Sequence, residues 1–189
     1  MKKVFIVHGW EGSPEDCWIP WLKRELETKG YTVKALAMPD PDAPKIETWV
    51  PHLRDSVGTP DEDTILVGHS MGGATIIRYL ESLPEGARVG KAVLVAPAID
   101  IINQLETEEE IEIAKPWLDI PIDERKVKSA AKQIVGFFSD NDPYIPTSSA
   151  QYAKDHYGAR TMIEHDMGHF DLENNITKVP SVLDEILQP

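Results

Sequence analysis

Residues 64–80 read TILVGHSMGGATIIRYL, and they restrict the fold more than any other stretch of the chain. Thr64–Val67 is a short apolar, partly β-branched run of the kind a buried strand presents. From Met71 onward, Ala74, Ile76, Ile77, Tyr79 and Leu80 suit a packed helix. A strand that turns into a helix within two or three residues imposes an unfavourable backbone conformation on the residue at its apex. Gly68 and Gly72 carry no Cβ, so the two arms can pass close together. Gly68-His69-Ser70-Met71-Gly72 fits the G-x-S-x-G elbow, which holds a serine hydroxyl clear of a sheet edge, free to attack. Nine serines and twelve glycines in 189 residues would give about 0.04 such matches by chance. The bland alternative is a glycine-rich turn with an idle serine. A nucleophile also needs a base, an orienting acid and an oxyanion site, and the rest of the chain must supply them.

Strand-like runs recur at Val4–Val7, Tyr31–Met38, Thr64–Val67, Lys91–Ala96, Gln133–Phe138 and Arg160–Glu164. Helical segments are expected at Asp16–Lys29, Ile46–Val57, Met71–Leu83, Thr147–His156 and Val179–Leu187. This alternation predicts an α/β fold, one domain over 1–189, with a mainly parallel sheet of about six strands and helices on both faces. MPDPDAP (38–44) reads as a loop. Residues 103–126 are too long for a turn and too short for a large cap domain. Their acidic run Glu106–Glu112 reads as a solvated helix face. Pro116-Trp117-Leu118 reads either as a flap that touches substrate or as plain packing.

The net charge of −13, with no Lys/Arg cluster, argues against a nucleic-acid surface and against an anionic membrane surface. The apolar stretch of MKKVFIVHGW ends at Val7, too short for an export signal, and no run reaches membrane-spanning length. Cys17 is the one cysteine, which excludes an intrachain disulfide and a cysteine zinc cluster. A cytoplasmic protein is the expectation.

In open parallel sheets, ligands bind beyond the carboxyl ends of the strands, so partners for Ser70 are sought there. The first strand ends in VHGWEGSP (7–14), a glycine-rich loop able to turn an amide toward the serine. The backbone N–H groups of Trp10 and Met71 are the candidate oxyanion hole, with Met71 opening a helix whose dipole favours negative charge. His8 reads as a loop-fixing residue. GFFSDNDPYIP (136–146) offers two acids, Asp140 and Asp142, and periodicity does not choose between them. EHDMGHFD (164–171) offers His169, which Gly168 frees to reach back over the sheet edge as general base and acid. His165 and His169 are four apart, but the segment does not read as a helix, so no metal site is expected and no cofactor is called for. His69, Trp10 and Trp117 are candidates for lining a pocket, whereas Trp18, Trp21 and Trp49 suit the core. The order serine, acid, histidine is that of the α/β-hydrolase fold.

VHGWEGSPEDCWIPWLKREL, MPDP at 38–41, GHSMGG at 68–73, DNDPYIP at 140–146 and MGHF at 167–170 together resemble one family. It is the small serine hydrolases typified by retinoblastoma-binding protein nine and its bacterial relatives, a compact branch of the α/β-hydrolase fold. The similarity runs from Val4 to about Phe170. The resemblance implies that Asp142, which directly precedes the proline, is the catalytic acid beside Ser70 and His169. It also implies hydrolysis of a small ester or amide, or a thioester, through an acyl-enzyme, with a small-molecule acyl substrate. The L-x-C-x-E segment associated with retinoblastoma-protein binding is missing: the region before the elbow reads SVGTPDEDTILVGHS (56–70). That binding is not expected here. A non-catalytic binding module that retains the fold is the second reading, and a full set of triad residues argues against it.

Overall fold

Each apolar run of the sequence becomes a strand of one six-stranded sheet, and every neighbouring pair is parallel. The computed structural model describes residues 2–188. In chain order the elements are β1 (Lys3–Val7), α1 (Ile19–Thr28), β2 (Thr32–Leu36), α2 (Ile46–Val57), β3 (Thr64–His69) and α3 (Met71–Ser82). Then come β4 (Val89–Val95), α4 (Glu108–Asp119), α5 (Glu124–Ser129), β5 (Ala131–Ser139), α6 (Ser148–Tyr157), β6 (Arg160–Glu164) and α7 (Pro180–Leu187). The strand order is β2-β1-β3-β4-β5-β6. The chain moves outward from β1 to β2, returns, and then proceeds in the opposite direction from β3. With right-handed crossovers, α1 lies on one face and α2, α3, α5 and α6 on the other. Helix contacts agree, with α1 meeting α7 while α2, α3, α5 and α6 touch in series. The reversal between β1 and β3 opens a crevice at their carboxyl ends, the usual ligand position in such sheets.

The central strand β3 is buried along its whole length and its neighbours along most of theirs, so they read as continuous apolar runs rather than alternating ones. Register then sets the site. Val7 pairs with Gly68 and His69 with Val95, which brings the ends of β1, β3 and β4 together. The elbow depends on its glycines. A Cβ at Gly72 would stand 2.3 Å from the Val7 carbonyl oxygen and 2.6 Å from that of His8, and one at Gly68 2.5 Å from the Gly72 oxygen. These neighbours are backbone and cannot swing aside. Gly72→Ala is therefore expected to cost about 3 kcal/mol, measured by urea unfolding, because the helix must lift off β1.

The structure departs from the sequence reading at several boundaries. The second strand stops at Leu36 because the Met38 amide turns to donate to His8 Nε2 (3.1 Å). Residues 16–18 precede α1 rather than open it. Residues 103–126 hold two helices. Thr107 and Glu110 form a reciprocal capping box at the start of α4, and Asp123 caps the short α5, which periodicity could not find in six residues.

Candidate active site

Ser70 sits at the apex between β3 and α3 with φ 52° and ψ −118°, a region that costs a non-glycine residue about 1–3 kcal/mol. The surroundings hold it there. Its N–H donates to the Val95 carbonyl (2.9 Å), and its own carbonyl accepts from the amides of Gly73 (2.9 Å) and Ala98 (3.2 Å). Ser70 opens onto a cleft of about 400 Å³ that is also lined by Trp10, Met71, His69, Tyr144 and His169. Among the described residues, no hydrogen-bond acceptor engages the backbone N–H of Trp10 or Met71, and both residues border the cleft. Met71 is the first residue of α3, where amides are left without intrahelical partners.

The two acids of the 136–146 segment part company. The side chain of Asp142 is fully buried: Oδ1 accepts from the amides of Tyr144 (2.8 Å) and Ile145 (3.0 Å), and Oδ2 accepts from His169 Nδ1 (2.9 Å). Asp140 is turned outward, paired with the exposed His165 and accepting from the Asp166 amide (3.0 Å). The loop between β5 and α6 grips the loop after β6 residue by residue. Asp140 takes the amide of Asp166, Ser139 Oγ that of Met167 (3.1 Å), Asn141 Oδ1 that of Gly168 (2.8 Å), and Asp142 the ring of His169. This holds a strained turn, in which Asp166, Gly168 and Phe170 all have positive φ.

A second set of contacts holds His169 from the other side. His69 donates Nε2–H to the His169 carbonyl (2.7 Å), and Trp18 Nε1 donates to the Phe170 carbonyl (3.1 Å) while its ring meets His69 edge-on. Burial first, then the neighbouring His169, pushes His69 down to about 4. The sign follows from that depression: below the ordinary 6.5 the unfolded chain takes up a proton that the folded chain refuses. Stability is thus expected to fall between pH 6.5 and about 4 by about 3 kcal/mol at full extent. Urea midpoints from pH 7 to 4.5 should drop more steeply in the wild type than in His69→Gln.

His8 is buried, donates through Nδ1 to the Gly9 carbonyl (2.8 Å) and accepts from Met38; burial lowers its pKa. Three indoles fasten the MPDPDAP loop: Trp49 Nε1 donates to the Pro39 carbonyl (2.7 Å), Trp10 to Asp42 (2.9 Å) and Trp117 to Pro44 (2.9 Å). No group of three or more His, Cys, Asp or Glu able to hold a metal occurs among the described residues. No described helix is long and apolar enough to cross a membrane.

The serine hydrolase family model matches residues 4–188. The chain belongs to the serine hydrolase family. It is similar to YdeN of Bacillus subtilis (strain 168), at 32% identity over 97% of this chain and 93% of that one. It is also similar to the serine hydrolase RBBP9 of Rattus norvegicus, at 29% identity over 87% and 79% of the two chains. The crystal structure of the ydeN gene product superposes with a TM-score of 0.89 at 29% identity, covering 98% of this chain and 97% of that one. Est1E from Butyrivibrio proteoclasticus shares the fold, with a TM-score of 0.73 at 15% identity. This serine hydrolase is a hydrolytic enzyme on the α/β-hydrolase fold.

One candidate pocket residue of the hydrolase is misplaced by the sequence reading. Trp117 is 2% exposed, meets Trp49 edge-on (6.2 Å between centroids) and does not border the cleft. The reason lies in α3. Arg78 donates to the carbonyls of Trp117 (3.2 Å), Ile120 and Pro121 (3.3 Å), and so pulls the end of α4 onto the body. The 103–126 segment reaches the cleft instead through Gln104, Leu105 and Glu110. Sequence reasoning also missed Ser139 and Asn141, whose roles depend on a partner loop some 27 residues away.

Proposed function

We propose that the chain hydrolyses a small ester or amide, or a thioester, through an acyl-enzyme on Ser70. The observation that carries this reading is the buried Asp142–His169 contact of 2.9 Å, in a cleft bordered by both Ser70 and His169. With its Nδ1 hydrogen committed to Asp142, the ring has Nε2 as its basic nitrogen. Nε2 takes the Ser70 hydroxyl proton as Oγ bonds to the substrate carbonyl carbon. The oxygen that becomes negative is met by the amides of Trp10 and Met71. As the intermediate collapses, Nε2 returns the proton to the departing alkoxide, thiolate or amine. Water, deprotonated by the same nitrogen, then bonds to the acyl carbon; the carbon–Oγ bond breaks, Nε2 returns the proton to Ser70 Oγ, and the carboxylic acid leaves. Asp142 holds the ring in the required tautomer and stabilises its charged form. The volume of the cleft suits a small acyl substrate.

The test is labelling with a neutral fluorophosphonate, wild type beside Ser70→Ala, with mass spectrometry of the adduct. Labelling of Ser70 in the wild type alone is the expected result. A well-folded protein that does not label would favour a binding module that keeps the fold without turnover.

A further inference from the structure

The wall of the cleft that holds Ser70 and His169 also carries Glu11, Asp16, Glu110, Asp171 and Glu173, and no lysine or arginine. None of these five carboxylates pairs with a lysine or arginine among the described residues. Two of the three histidines in the same wall do not compensate, because burial disfavours the charged form of His8 and His69. Two of the carboxylates are held in place. Glu110 Oε2 accepts from the amides of Glu106 (2.8 Å) and Thr107 (2.7 Å), and Asp171 Oδ1 from the Asn174 amide (3.1 Å) and side chain (2.8 Å). Glu11 and Glu173 are exposed, and among the described residues no hydrogen bond or ion pair engages their carboxylates. The same carboxylates act on the cleft lining: after burial itself, Glu173 and Asp171 are the next causes that raise the half-buried Tyr144 hydroxyl above its ordinary value. Tyr144 in turn lies edge-on to His169, 5.1 Å between centroids. Low-dielectric walls focus such a field along a cleft.

We infer that the substrate carries a positive charge, an amine or a quaternary ammonium, at the end away from its reacting carbonyl. This deepens the hydrolase reading and rests on it. Ile19, Ile102 and Leu105 give the cleft apolar surface for the stem of such a molecule. Trp10 and Tyr144 add aromatic side chains to the same cleft, and aromatic rings attract cations. An anionic end would be repelled by all five carboxylates and would find no donor of opposite charge.

Three p-nitrophenyl esters of equal chain length test this, ending in methyl, carboxylate or trimethylammonium, each rate divided by its uncatalysed rate. At low salt, kcat/KM should be about tenfold higher for the cationic than for the neutral ester, and about tenfold lower again for the anionic one. Raising NaCl to about 0.5 M should compress both ratios, since screening shortens to a few ångströms. In Glu11→Gln/Glu173→Gln the cationic-to-anionic ratio should fall about fivefold or more, whereas a structural defect would lower all three rates in parallel. Three corrected rates within about twofold, a faster anionic ester, or ratios indifferent to salt and to the variant would overturn the inference. If Ser70 labels and the neutral ester turns over while the ranking is flat, the charge preference alone fails. If Ser70 does not label and no ester is cleaved, the hydrolase reading falls and the inference with it.

Discussion

Ser70→Ala is expected to lower kcat on esters by on the order of 10⁵–10⁶, with the fold intact. In the proposed mechanism the hydroxyl oxygen is the atom that bonds to carbon, and alanine offers nothing in its place. The elbow itself does not need the hydroxyl. Its backbone is held by the Ser70 N–H on Val95 and by the Gly73 and Ala98 amides on the Ser70 carbonyl, all of which survive in alanine. Urea unfolding should therefore shift by less than about 1 kcal/mol. Initial rates and unfolding curves on the same preparation are the measurement. Retention of more than about one part in thirty of wild-type turnover would remove Ser70 from the nucleophile's place.

Asp142→Asn should cost about 10⁴ in kcat, while Asp140→Asn should cost less than about threefold. The difference comes from what each carboxylate touches. Asp142 Oδ1 is committed to two amides, those of Tyr144 and Ile145. An asparagine must keep its oxygen there, so its NH₂ group faces His169 Nδ1. That nitrogen would then have to accept, moving the ring proton to Nε2, where it blocks abstraction of the Ser70 proton. Asp140 sits at the surface with His165, and asparagine can still accept from the Asp166 amide. Kinetics of the two variants, with ring-nitrogen NMR to report the tautomer, separate the cases. Equal losses in both variants would mean that the acid does not act through His169.

The alternation of apolar runs determined the parallel sheet, because strands buried on both faces must be apolar throughout and the helices between them must cover both sides. The elbow was also legible. A serine between glycines at a strand-to-helix junction is a local pattern, and the Cβ clashes at Gly68 and Gly72 show why those positions are restricted. Which aspartate faces His169 was not legible from periodicity, since Asp140 and Asp142 both stand at the end of β5 and both suit turns. Tertiary structure decided it, by burying one carboxylate on two amides and leaving the other in solvent. The same holds for Trp117, which its segment left open between flap and core until Arg78 on α3 drew the end of α4 inward. Sequence alone determines what is repeated or contiguous along the chain. The grip of Ser139–Asp142 on residues 166–169 and the acidic wall of the cleft join distant segments, and only the packed sheet brings those segments together.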